Sequence, residues 1–177
     1  MQDKSFEINI LKLNWIDHTD NPADLCAHGT VFIRIANTIV VNESSGDQWT
    51  LSAAALHLMR TIENDYKPGN FAGQLIPCCG FFLIANDDLN QVKICGCPSG
   101  YDWDVQHIGN EIKLIASTGE QAILKTEVYK ELILSFADRV KHFYDRSKPK
   151  ILPEDEFDRN GYQAFWTEWQ TLRSRLD

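Results

Sequence analysis

The sequence has no apolar run near 18 residues, roughly the length a helix needs to cross a bilayer. Its first residues also lack a basic stretch followed by an apolar one. Neither a membrane span nor a secretory signal is therefore expected. Basic side chains are scarce: 17 Lys and Arg stand against 25 Asp and Glu, for a formal net charge of -8. That balance argues against a nucleic-acid partner, because binding a phosphate backbone rests on Lys and Arg displacing counterions. Named catalytic motifs are missing too, with no G-x-S-x-G elbow, no glycine-rich phosphate loop and no H-E-x-x-H helix. There are no internal repeats, low-complexity tracts or linkers long enough to separate domains. The five cysteines are an odd count without an export signal, so reduced thiols in a cytoplasm are expected.

What is present is an ordinary globular composition, 44% hydrophobic and 24% charged over 177 residues. A chain of that length buries roughly 70% of its unfolded surface, so it needs no disulfide or metal to fold. One α+β domain spanning residues 1–177 is expected, with a mainly antiparallel sheet of six to eight strands packed with three helices. Its organising stretch is 74–108, which holds four of the five cysteines and reads as the hydrogen-bonded middle of the sheet, with two loops at its rim.

Alternation of Phe6, Ile8 and Ile10 with Glu7 and Asn9 predicts a strand with one buried face. The apolar phase then shifts to Leu11, Leu13 and Trp15, which predicts a bulge or a change of face. β-Branched runs at 30–35 and 38–41 around Ala36-Asn37 predict a two-residue hairpin, and ESSGDQ at 43–48 a solvated loop. A helix is expected from Ser52, whose hydroxyl would cap the first turn. Ala55, Leu56, Met59 and Ile62 would form its stripe against the sheet, with His57 at the edge. Residues 80–85 are continuously apolar, as in a strand covered on both sides. Asn86-Asp87-Asp88 then turns the chain into a strand at 92–97, closed by Pro98-Ser99-Gly100. Strands around Trp103 to His107, at 111–116 and at 121–125 would complete an antiparallel meander. Helical spacing resumes over 126–146 and, past the acidic connector ILPEDEFDRN, through Tyr162, Phe165, Trp169, Leu172 and Leu176.

Several groupings of side chains bear on chemistry. Thiols could bind zinc or, with His28, His57 or His107 as base, act as nucleophiles. Cys95 and Cys97 would share one side of a strand, whereas adjacent Cys78 and Cys79 would face opposite sides, so packing as small hydrophobes is the simpler expectation. Asp102 and Asp104 would lie about 7 Å apart along a strand, a separation that suits a glycosidase acid and base. Two solvated carboxylates beside a half-buried indole explain the same pattern. Aromatics beside carboxylates also suit a protein interface with a basic partner. Asp87, Asp88, Tyr101, Asp102, Trp103 and Asp104 are the candidate contact residues, set at opposite ends of the strand that joins them. Rival acidic patches lie at Glu43 and Asp47 beside Trp49, and at Glu154-Asp155-Glu156.

Four segments follow one another in this order: D-x-C-x-H-G (Asp24, Cys26, His28, Gly29), SAAALHLMRTI (52–62), P-C-C-G (77–80) and G-C-P-S-G-Y-D-W-D-V-Q-H (96–107). This order, running over roughly 24–170, resembles the immunity proteins encoded beside bacterial polymorphic or contact-dependent toxins. The resemblance implies a cytoplasmic, non-enzymatic protein that binds one cognate toxin domain, commonly a basic nuclease, and blocks it, with no cofactor or metal. Such proteins differ widely in fold, so no contact residue is carried over. A small cytoplasmic enzyme using Cys/His or paired-Asp chemistry, and a structural zinc protein, are the alternatives.

Overall fold

The structure, a computed structural model, describes residues 5–46, 48–69, 73–80 and 82–176. Strand β1 (Phe6–Asn14) buries Phe6, Ile8 and Ile10 and pairs antiparallel with β2 (His28–Ile35). The register slips between Ile10 and Lys12, so the phase change in the sequence is a bulge, and Leu11 is turned outward. Across from it, a Cβ on Gly29 would lie 1.9 Å from the Lys12 carbonyl oxygen, so only glycine lets the two backbones close at this point. Ala36, at φ 50°, turns β2 into β3 (Thr38–Val41) with Ile35 opposite Thr38, the two-residue hairpin expected. The segment expected as loop contains one 3-10 turn, Glu43–Ser45, capped by Asn42; Asp47 lies outside the described residues. β4 (Trp49–Thr50) pairs with the start of β2, completing a four-stranded sheet.

Helix α1 (Leu51–Arg60) departs from expectation: every residue from Leu51 to Met59 is buried. Periodicity cannot distinguish a helix packed on one side from one packed all round when alanine fills the remaining positions. The helix is enclosed by β2 and by two long helices, α2 (Thr126–Asp145) and α3 (Glu156–Leu176). Ser52 does not cap it. Thr50 holds the cap position but its side chain does not cap the first turn, and the first amides, of Leu51 and Ser52, donate instead to the Ala27 carbonyl at 2.8 and 3.3 Å.

The expected single sheet is divided. β5 (Phe82–Ala85) and β6 (Val92–Cys95) form a two-stranded sheet against α3. β7 (Asp104–Ile108), β8 (Glu111–Ile115) and β9 (Gln121–Lys125) form a three-stranded one. The described residues thus make an α+β fold of three helices and nine strands, in antiparallel sheets of four, two and three. The meander breaks between β6 and β7, because Pro98 and Gly100 carry the chain to a different sheet instead of reversing it beside β6. Nor is β5 covered on both faces: Leu83 packs inward, while Phe82 and Ile84 are 55% and 38% exposed. Phe81, part of that apolar run, lies outside the described residues. Among the described residues no helix is long and apolar enough to cross a membrane.

Burial of α1 leaves a titration signature. His57 is pushed down to about 3, first by burial and then by the Arg60 guanidinium, whose Nη1 lies 3.5 Å from its Nδ1. The ordinary value of 6.5 applies once the chain unfolds, so the unfolded chain takes up this proton first as pH falls. Stability is full above about pH 6.5 and declines from there toward about pH 3. At pH 5 the loss is about 2 kcal/mol, from 1.5 pH units at about 1.4 kcal/mol each. Urea midpoints should therefore fall between pH 7 and pH 5, and fall by less in His57→Gln. Equal slopes in the two proteins would exclude His57 as the source. Burial lowers His28 as well, so the variant should keep part of the dependence.

Candidate functional site

The segment after α1 and the segment between β6 and β7 run side by side. Ile76 and Tyr101 exchange backbone hydrogen bonds of 3.0 and 2.9 Å, and Tyr66 and Val105 exchange two of 2.8 Å. Gln74 clamps the intervening turn: its Nε2 donates to the Pro98 carbonyl at 2.7 Å, and its Oε1 accepts from the Gly100 amide at 2.9 Å. Asp102 ties the same two segments, accepting from the Leu75 amide at 3.1 Å and from the Tyr66 hydroxyl at 2.8 Å. Thr50 then anchors the outer segment to β4, its amide donating to the Pro77 carbonyl at 3.0 Å and its hydroxyl to that of Cys78 at 3.4 Å. The approach leaves no space at two glycines. A Cβ on Gly96 would lie 2.0 Å from the Cys79 carbonyl oxygen, and one on Gly100 2.5 Å from that of Ile76.

This clamped pair of segments brings three thiols together: the Sγ atoms of Cys78, Cys79 and Cys97 all lie within 4.8 Å of one another. Strand alternation would have put Cys78 and Cys79 on opposite sides. β6 ends at Cys95, so Cys97 belongs to the turn Cys97-Pro98-Ser99-Gly100, beyond the ladder. Residues 77–79 have no strand pairing, so nothing holds Cys78 and Cys79 on opposite faces. Cys78, Cys79 and Cys97 are each partly exposed, which packing alone does not require. Donors aim at the sulfurs. The Cys97 amide donates to Cys79 Sγ at 3.3 Å, and the amide and hydroxyl of Ser99 face the Cys97 thiol. The Ser99 amide, with the two neighbouring thiols, brings Cys97 down to about 7. Burial pushes Cys78 up to about 11 and raises Cys79 as well. The group therefore releases its first proton at Cys97.

The imidazoles do not join them. His57 lies in the core and His28 is buried at the start of β2. His107 places Nδ1 2.8 Å from Asp65 and Nε2 3.0 Å from the Ile62 carbonyl. Cys26, beside His28 in sequence, is pushed up to about 11 by burial and then by Asp24, so it stays a protonated thiol at neutral pH.

The six candidate contact residues separate. Trp103 is 1% exposed and packs with Phe6, centroids 6.4 Å apart, so it belongs to the core; strand alternation puts it on the face of Val105. Asp102 is not the solvated carboxylate expected. Both its oxygens are used between the segments, and burial raises its pKa. Tyr101 is half-buried with its ring edge-on to Trp49 at 5.0 Å, and Asp104 is half-buried at the start of β7. Asp87 and Asp88 are exposed at the β5–β6 turn, where Asn86 Oδ1 accepts from the amides of Asn90 and Gln91, both at 3.0 Å.

A different outward face gathers aromatics and carboxylates. Phe82 meets Phe157 edge-on at a 6.4 Å centroid distance, with Ile84 next along β5 on the same side. Phe157 is 49% exposed, and its neighbours Glu154, Asp155, Glu156 and Asp158 are exposed too. The connector DEFD in the sequence carried the signal for this face; what it lacked was Phe82, hidden in a run that looks like core. Comparison with family models, with curated proteins and with solved structures returned no match.

Proposed function

We propose that the protein is an immunity protein that neutralises a basic toxin domain, a nuclease, by covering its active site. The observation that carries the reading is the exposed Phe82–Phe157 pair, with Ile84 beside it and carboxylates around it. The rings supply desolvated anchors, and the carboxylates occupy positions where the toxin would hold phosphates. Glu154, Asp155, Glu156 and Asp158 lie on the α3 side of this face, and Asp87 and Asp88 lie at the far end of β5. The net charge of -8 steers the encounter and sets its salt dependence more than its final strength.

Co-expression with the toxin domain encoded beside it should restore growth. Arrest despite abundant soluble protein would end the proposal. Phe157→Ala with Phe82→Ala should weaken binding to the toxin at least tenfold, about 1.4 kcal/mol, as loss of interface anchors does. Both rings are about half exposed in the free protein, so its melting temperature should change little. Unchanged affinity in a folded double variant would remove this face from the interface.

A further inference from the structure

We propose that Cys78, Cys79 and Cys97 form a three-thiolate site for one thiophilic metal ion, of the Zn2+ or Cu+ class, open to solvent at a further position. The site is built before an ion arrives. Two segments distant in sequence are clamped by Gln74, Asp102 and the Ile76–Tyr101 pair, and Gly96 permits the contact that seats Cys79 against Cys97. Thiolate–zinc bonds of about 2.3 Å place tetrahedral sulfurs about 3.8 Å apart. Sulfurs already within 4.8 Å reach that spacing with small side-chain rotations. The Cys97 amide directed at Cys79 Sγ is an outer hydrogen bond of the kind that orients a thiolate ligand and offsets its charge. Ligand type selects the ion. With sulfur alone in the group, hard cations such as Mg2+ and Ca2+ have nothing to prefer, whereas Zn2+ and Cu+ do. Partial exposure of all three thiols gives an ion direct access.

Binding of a divalent ion forms three metal–sulfur bonds and displaces whatever protons the three thiols still carry, leaving one net negative charge on the site. The ion joins residues 78–79 to the turn that leads from β6 to β7. It therefore acts as a clip between the segment that enters β5 and the turn that leaves β6, independent of any toxin-binding face.

The test uses the full chain, purified under reducing conditions without a histidine tag. Titration with Co2+ should saturate at one equivalent, with thiolate-to-cobalt charge-transfer absorption and the visible bands of a tetrahedral ion, all displaced by Zn2+. A parallel titration with Cu+ against a copper(I) chelator distinguishes the two ions, and one-equivalent binding of either supports the site. Zn2+ or Cu+ should shield Cys78, Cys79 and Cys97 of the unaltered protein from alkylation while leaving Cys95 reactive. Cys79→Ser and Cys97→Ser should each weaken binding by at least about a hundredfold, more than loss of an outer hydrogen bond does. Cys95→Ser should bind as the parent does. Less than half an equivalent of both ions, unselective alkylation, or equal losses in Cys95→Ser and Cys97→Ser would overturn the proposal. So would a Cys97 disulfide with either neighbour forming in preference to the metal complex under reducing conditions.

Discussion

Glu168→Ala is expected to destabilise the protein by about 3 kcal/mol, the loss seen when one partner of a buried ion pair is removed. Glu168 projects from α3, and its side chain retains only 11% exposure. Its Oε1 accepts from Arg60 Nε at 2.7 Å, and its Oε2 from Arg60 Nη2 at 2.8 Å, a two-pronged pairing that fixes both planes. The same Oε2 accepts from the Val92 amide at 2.8 Å, and Arg60 Nη2 donates to the Val92 carbonyl. One carboxylate therefore joins α1, β6 and α3. Without it Arg60 keeps a guanidinium at 29% exposure with no counter-charge there, and the Val92 amide loses its acceptor. Glu168→Gln keeps the shape and one acceptor and should lose less. Urea unfolding with an unchanged m-value measures both. A shift below about 1 kcal/mol for the alanine variant would mean that the pair behaves as a surface one.

Gly161→Ala should cost about 2 kcal/mol, within the range for forcing a methyl into a closed contact. In an exposed helix interior the same change stabilises by about 1 kcal/mol, so the sign itself is diagnostic. A Cβ at Gly161 would lie 1.9 Å from the Leu83 carbonyl oxygen and 2.8 Å from the Leu83 Cβ. Helix α3 and β5 would have to part, and β5 carries Phe82 and Ile84 outward. If the Phe82–Phe157 face binds a toxin as proposed, the variant should lose that affinity as well as stability, without a change to any exposed side chain. Thermal unfolding beside a binding titration separates the effects. A gain in melting temperature would show that α3 and β5 are not so closely apposed.

Local signals made much of this fold legible. The phase change after Ile10 located the bulge, Ala36-Asn37 located the first hairpin, and the strand patterns at 111–116 and 121–125 located the last. Apolar spacing over 126–146 matched α2 to within a residue. Each of these is decided by neighbours in the chain. What could not be read depends on packing between distant elements. The enclosure of α1 needs both long helices, and the outward turn of Phe82 follows from α3 covering the other face of β5. Trp103 and Asp102 looked like surface because they alternate with acids, yet one faces Phe6 and the other is taken by Tyr66 and Leu75. For the thiols a cue was present: Cys97 is followed by Pro-Ser-Gly, turn residues that remove it from a ladder and free its sulfur to meet another segment.

The all-round burial of α1 also bears on synthesis. Arg60 meets Glu168 across 108 positions of sequence. At translation speeds of about 5–20 residues per second, about five to twenty seconds separate the two. Throughout that interval the greasy decamer has emerged, or is emerging, with no lid, since α3, its last wall, is still to be made. A nascent chain is thus at its stickiest just before α3 is added, when a chaperone that holds short apolar stretches would find most to grip.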